Sequence, residues 1–398
     1  MSLPRGRALR CLLAGASLVA SSVLATSAAA ATPATAVNPV PPNQGLAPPA
    51  SLGRAERGLD LLAVPGMVSA QWATPFGRAT GCKVSVTVAS PAVIATDMAQ
   101  GGVRKFDLVG ASDDVTPALI YGGTVRPINL ALLPEWPRLA TLFQSPASNT
   151  VSGYHYGVAV DGSADVLVYS RAVFGHPPTS WSTLYPRRSQ RDLAVPDDPL
   201  QIAAAAVYLR AVHKSLGITD PLELTARQFD AVVTLLRAQH ASVRTYWRSE
   251  SVLASQLSSH AVAAAAAPLS VLLRLGARSS RFAAAVPREG VTGRIFSWLM
   301  DAKPRHPNCA YRWLRWVTSP RIQAQLALST GSVPANPQSC ATLDSIHPGS
   351  CATLRATSAA SILGGLTSLR TPTRICPTAK PTCVAFKTWQ QIWATIDH

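Results

Sequence analysis

The chain lacks the residue groupings that carry most chemistry. It has no Gly-x-Ser-x-Gly nucleophile elbow, no His-Glu-x-x-His zinc motif and no phosphate loop closing on Gly-Lys. It has no Cys-x-x-Cys pair, and its eight histidines are scattered. Only His306 and Cys309 share a spacing that a metal could use, and a lone His-x-x-Cys is a weak zinc signal. Paired carboxylates occur as Asp113-Asp114 and Asp197-Asp198. Helix capping and loop polarity explain such pairs as simply as acid–base catalysis does. No Lys/Arg run reaches five and no basic stripe is interleaved with aromatics, which argues against nucleic-acid binding. Beyond the N-terminus no stretch of eighteen uninterrupted apolar residues exists to read as a spanning helix.

Charge is scarce as well. Only 14% of the 398 residues are charged, against 47% hydrophobic. That balance suits a globular protein with one large or two medium cores. Lys and Arg total 36 and Asp and Glu 20, a formal +16; the three arginines of residues 1–30 leave +13 beyond them. An arginine-favouring genome explains the excess, and so does attraction to an anionic surface or solute.

Arg5, Arg7 and Arg10 form a basic n-region, Cys11 to Leu24 an apolar h-region, and Ala28-Ala29-Ala30 a small-residue cleavage site. Residues 1–30 therefore read as a secretory signal peptide. A lipoprotein cysteine would follow the apolar run, whereas Cys11 stands at its start, so the exported chain is expected to be soluble and unlipidated. Residues 31–57 hold six prolines and read as an Ala/Pro-rich, extended linker with nothing to bury. Six cysteines remain: Cys82, Cys309, Cys340, Cys351, Cys376 and Cys383. An even count in an exported chain predicts three disulfides, with fifteen pairings open. Cys376 and Cys383 flank a short proline-rich turn and read as a local clip.

Apolar and alternating runs predict strands at Leu59–Val64, Cys82–Val88, Phe106–Gly110, Tyr154–Val160, Val166–Ser170, Leu193–Val195 and Phe282–Val286. Helical spacing falls between them, at residues 66–76, 91–100, 116–121, 198–213, 225–238 and 250–258. Two more helices, 307–317 and 320–328, are split by Ser319-Pro320. The strand–helix rhythm implies parallel sheets covered on both faces, here as two α/β lobes with the chain crossing more than once. Trp72, Trp136, Trp181 and Trp247 have apolar neighbours and read as core.

Several pieces, in order, resemble the extracellular solute-binding proteins of ABC transporters, the spermidine/putrescine type in particular. They are Gln71-Trp72 with Thr80-Gly81-Cys82-Lys83-Val84, Phe106-Asp107-Leu108-Val109 with Ser112-Asp113, and Pro178-Thr179-Ser180-Trp181. Pro287-Arg288-Glu289-Gly290 is similar to the turn that opens one wall of that family's cleft. His306-Pro307-Asn308-Cys309-Ala310-Tyr311 with Ser332-Val333-Pro334-Ala335-Asn336 resembles its closing helices. The resemblance implies a periplasmic-binding-protein type II fold, with two α/β lobes, hinge strands and a ligand cleft between them. The expected division is residues 58–162 plus 265–300 as lobe 1 and 163–264 plus 301–345 as lobe 2. Residues 346–398 form a cystine-containing tail packing on the lobes. Expected partners are a small solute and a membrane permease, for a monomer with no cofactor, no metal and no catalytic residue.

A polyamine cage needs carboxylates for ammonium heads and aromatic faces for the chain between them. The residues matching cage positions are Ser112, Asp113, Asp114, Asp165, Asp198 and Gln201. Arg294 and Phe296 fill places where the family tends to carry Trp and Asp. Val64, Gly66 and Met67 stand where an aromatic is usual, and Ala264 to Pro268 where a Trp is. An arginine ~4 Å from a bound cation repels it by about 4 kcal/mol at an effective dielectric near 20. Polyamine capture is the leading expectation. An anionic or zwitterionic solute gripped by Arg294, or a non-transport scaffold without the cage, are the alternatives. A secreted hydrolase would need a nucleophile or metal set that the sequence does not offer.

Overall fold

The computed structural model describes residues 40–99, 106–185, 191–372 and 382–396. The expected signal peptide, the first part of the linker and Cys376 lie outside the described residues. The first strands are β1 (Gly58–Ala63), β2 (Lys83–Val88), β3 (Leu108–Ser112), β4 (Val125–Arg126), and the hairpin β5 (Thr150–Val151) and β6 (Tyr154–His155). Then come β7 (Gly157–Ser170), β8 (Leu193–Pro196), β9 (Val243–Trp247), β10 (Ala264–Ala267) and β11 (Phe282–Ala285). The last are β12 (Val291–Asp301), β13 (Val333–Pro334) and β14 (Leu366–Ser368). The main path of the sheet is β2-β1-β3-β12-β7-β10-β8-β9.

The parallel pairs are those the strand–helix rhythm predicts. β1 lies parallel to β2 and β3, and β8 parallel to β9 and β10. Helix Ala70–Thr80 joins β1 to β2 and buries Trp72 and Phe76. It starts four residues later than its pattern suggests, because Gly66 takes a left-handed turn (φ 91°) and Ser69 caps the helix by accepting from the Gln71 amide. Gly81, also left-handed, ends it. Helices Gln201–Val212 and Ala226–His240 join β8 to β9, the latter opened by a Thr225/Gln228 capping box.

β7 corrects one expectation. Two strands joined by polar residues 161–165 were anticipated, yet residues 157–170 form one strand. The polar residues are accommodated individually. Asp161 is buried against Thr330, and Gly162 lies so close under Leu363 and Phe143 that a Cβ would approach Leu363 to 2.8 Å. Residues 157–165 of β7 pair with β12, and residues 166–170 pair with β10 and β11. β7 and β12 thus run side by side where the two halves of the sheet meet. Their approach at Gly293 admits no side chain: a Cβ would sit 2.0 Å from the Ser163 carbonyl oxygen.

The pairing groups several elements differently from the expected division of the chain. Residues 264–285 carry β10 and β11, which belong with β8 and β9 rather than with β1 to β3. The four alanines of β10 are small enough to lie buried between β7 and β8. Helix Pro307–Val317, assigned to lobe 2, packs on the β1 half: Phe76 meets Trp313 and Trp316 edge-on at 5.1 and 5.9 Å. The Cys82–Cys309 disulfide closes the same contact across 227 residues. Cys340–Cys351 is the second bridge, and Cys383 is disulfide-bonded as well.

The linker differs from expectation as well. Residues from Asn43 onward are docked, not extended into solvent. Asn43 and Asn129 side chains donate across this contact to Val125 and Pro49 carbonyls at 3.1 and 2.8 Å. The Glu56 carboxylate accepts from the amides of Asn308 and Cys309 at 2.9 Å, capping helix Pro307–Val317.

Candidate functional site

A cavity of about 370 Å³ opens beside the paired strands β7 and β12, at the carboxyl ends of parallel strands β8, β9 and β10. Open α/β sheets place ligands at such strand ends. Asp165 on β7 and Arg294 and Phe296 on β12 form one wall. Asp197, Asp198 and Gln201 follow β8, Trp247 and Arg248 end β9, and Leu369 comes from the C-terminal segment. A larger groove of about 610 Å³ runs along helix Ala70–Thr80 and β2, but Arg78 and Lys83 are its only charged walls. Converging acids, bases and aromatics single out the smaller cavity.

Each charge there has a distinct setting. Asp165 hydrogen-bonds Gln201, and burial pushes its carboxyl up to about 7, with Arg294 opposing the shift. Asp198 accepts from the Leu200 amide at 2.8 Å, in the turn just ahead of the helix that carries Gln201. Asp197 is held by Arg248 and by the Trp393 indole N–H at 2.9 Å. Arg294 reaches Asp114 at 3.8 Å, and the Ser112 hydroxyl donates to that same carboxylate. Two pairings therefore cancel their charges. Asp165 and Asp198 are the wall carboxylates with no cation at ion-pair distance among the described residues.

The structure brings five of the eight expected site residues to the cavity: Asp165, Asp198, Gln201, Arg294 and Phe296. The other three stand behind it. Ser112 and Asp114 buttress Arg294. Asp113 is buried, accepts from the Ser368 hydroxyl, and has its carboxyl pushed up to about 7 by that burial. Trp247 was expected in the core; it lines the cavity and donates from its indole to the Ala266 carbonyl at 3.1 Å. Arg248 and Leu369 carry no sequence signal for the site. They belong to it because β9 ends there and because β14 pairs with β12.

The Pro287-Arg288-Glu289-Gly290 turn has a structural task. The buried Glu289 carboxylate accepts from the Ser180 hydroxyl at 2.6 Å and the Trp181 amide at 3.1 Å. Two motifs carrying the resemblance are thus bonded to each other. Asp60, Asp107 and His306 offer ligand atoms within 4.8 Å. Those atoms are already engaged: Asp107 accepts from the Asp60 amide and from His306 Nδ1, both at 2.8 Å, and Arg305 pairs with Asp60. Cys309, the other half of the weak zinc signal, is spent in its disulfide.

Two α/β halves meeting at paired strands, with a charged cavity at the strand ends, define a two-lobed solute-binding protein. The family described as bacterial extracellular solute-binding protein matches residues 71–346, and the chain belongs to it. Among solved structures, the spermidine/putrescine substrate-binding protein PotD of Streptococcus pneumoniae is 13% identical, over 85% of this chain and 97% of that one, with TM-score 0.63. The TpPotD lipoprotein of Treponema pallidum is also 13% identical, over 85% and 99%, with TM-score 0.63. MotA of A. tumefaciens, in complex with glucopine, is 14% identical over 86% and 100%, with TM-score 0.55. At these identities the likeness is one of fold. No helix among the described residues is long and apolar enough to cross a membrane.

Proposed function

We propose that this chain is the exported capture protein of an ABC importer and that its solute carries ammonium groups, with spermidine or putrescine the first candidates. The carrying observation is the pair Asp165 and Asp198 beside Trp247 and Phe296, with Arg294 turned to Asp114. Carboxylates receive ammonium heads, and aromatic faces cover the methylenes between them. In this reading Arg294 does not repel the solute at full strength, because Asp114 offsets it. The solute is held noncovalently and released to a membrane permease, with no catalytic step. The signal peptide is removed and the monomer works outside the cytoplasmic membrane. The halves bearing β1–β3 and β8–β10 act as the two lobes.

A zwitterionic solute is the second reading. Arg294 is 29% exposed and its bridge to Asp114 is a loose 3.8 Å, so a solute carboxylate can replace that partner. The neighbour MotA binds glucopine, which makes an opine a fitting probe. Thermal unfolding with spermidine, putrescine and glucopine, each near millimolar, separates the readings by mass-action stabilisation. A rise in unfolding temperature with either polyamine, abolished in Asp165→Asn, supports the first. A rise with glucopine alone, abolished in Arg294→Gln, replaces it with the second. No shift with any of them leaves the scaffold reading.

A further inference from the structure

The family match ends at residue 346, yet the chain beyond it returns to the cavity. β14 runs parallel to β12, pairing Leu366, Thr367 and Ser368 with Val291, Thr292 and Gly293. It adds its bonds just where β3 stops, since β3 pairs with β12 only from Phe296 onward. Three consecutive residues then face three ways. Ser368 donates to Asp113 at the end of β3. Leu369 lines the cavity and is itself buried among residues of helices Gln201–Val212 and Ala226–His240. Arg370 spans two acids of the other half, Asp220 at 2.7 Å and Glu223 at 2.6 Å. Farther on, helix Phe386–Trp393 buries Trp389 and Trp393 against the same helices, and Trp393 reaches Asp197 in the cavity wall.

We infer that residues 366–370 are a third connection across the two halves, which sets the cavity's resting width and supplies Leu369 as a size-selecting wall. This rests on the reading that the cavity is the solute site. β7 and β12 are two adjacent strands about which the halves can rotate. A segment bonded to Asp113 on one side and to Asp220 and Glu223 on the other resists that rotation, because opening must break one of the two grips. Glu223 is almost fully buried, so its bond to Arg370 is the harder to give up. The Ser368–Asp113 bond is the releasing end.

The test uses spin labels on cysteines replacing Val88 in β2 and Val252 in helix Glu250–Ser258, which are 58% and 51% exposed on opposite halves. Without solute, Ser368→Ala and Arg370→Gln each lengthen or broaden the label-to-label distance by more than about 2 Å, the scale of a real rearrangement. Unchanged distributions in both variants overturn the connection, whatever the solute proves to be. Leu369→Trp narrows the cavity and weakens spermidine at least tenfold, with the shorter putrescine less affected. Leu369→Ala widens it and guards against misfolding of the larger variant. Spermidine and putrescine affinities unmoved in both Leu369 variants overturn the size-selecting wall. If the distances shift while neither polyamine binds the parent protein, the connection stands and the polyamine reading is the one that fails.

Discussion

Asp161→Asn is expected to stabilise the protein above neutral pH and to leave it nearly unchanged in acid. Asp161 lies in β7 beside β12, 1% exposed. Thr330 Oγ1 stands 3.0 Å from its carboxylate and 2.9 Å from the Leu326 carbonyl. One hydroxyl proton cannot serve both acceptors. A protonated Asp161 resolves this by donating to Thr330, which then donates to Leu326; an asparagine amide can do the same. Burial pushes the Asp161 carboxyl up to about 7, with Thr330 and Ser332 opposing the shift. An unfolded aspartate titrates near 3.9. Below about pH 4 both states hold the proton and the residue contributes nothing to the pH dependence. Between about 4 and 7 the unfolded state releases its proton first, so folding stability falls by up to about 1.4 kcal/mol per pH unit. Above 7 the full difference remains, on the order of 4 kcal/mol. For a domain of this size that is about 5 °C in unfolding temperature. Thermal unfolding of parent and Asp161→Asn at about pH 5 and 8 reads the difference directly. A variant equally or less stable than the parent at both pH values would mean that Asp161 carries no such burial penalty.

Other perturbations follow from the same geometry. Removing the Cys82–Cys309 bridge by a double serine substitution should cost about 5 kcal/mol, given its 227-residue span; a urea-unfolding loss under about 1 kcal/mol would contradict that. Gly293→Ala should destabilise by about 3 kcal/mol or more, since its methyl has no room between β7 and β12; the urea midpoint checks it. Affinity for spermidine should rise with pH to a plateau above about 7 as Asp165 ionises, falling toward tenfold per pH unit below. Calorimetric titration of the parent and of Asp165→Asn across that range should show the dependence only in the parent.

Much of the fold was legible because it rests on local signals. Alternating strands, Ser69 and Gly81 at the ends of a helix, and a proline opening Pro307–Val317 each act within a few residues. What was missed depends on distant partners. Nothing near Asp161 announces that Thr330 will lie against it, so a polar stretch inside a strand reads as a break. Ala264–Ala267 reads as small and apolar in either half, and only pairing with β7 and β8 decides. For the candidate site, the order of motifs named Asp165, Asp198, Gln201, Arg294 and Phe296, and all five line the cavity. Trp247 was hidden because an aromatic at the end of a strand looks the same whether it faces core or cavity. Leu369 was hidden because an ordinary leucine in a Ser/Thr-rich tail carries no mark of the strand it will join.

In the proposed function, Asp165 and Asp198 seat a cationic solute. Calorimetric titration with spermidine above pH 7, where Asp165 is ionised, tests it most directly, comparing the parent with Asp165→Asn/Asp198→Asn. Charge-assisted hydrogen bonds contribute about 1.5–3 kcal/mol each, so the double variant should bind at least about a hundredfold more weakly. Saturable binding in the parent with that loss is the predicted result. No saturable binding in the parent, or equal affinity in both proteins, would mean that these carboxylates do not seat a polyamine.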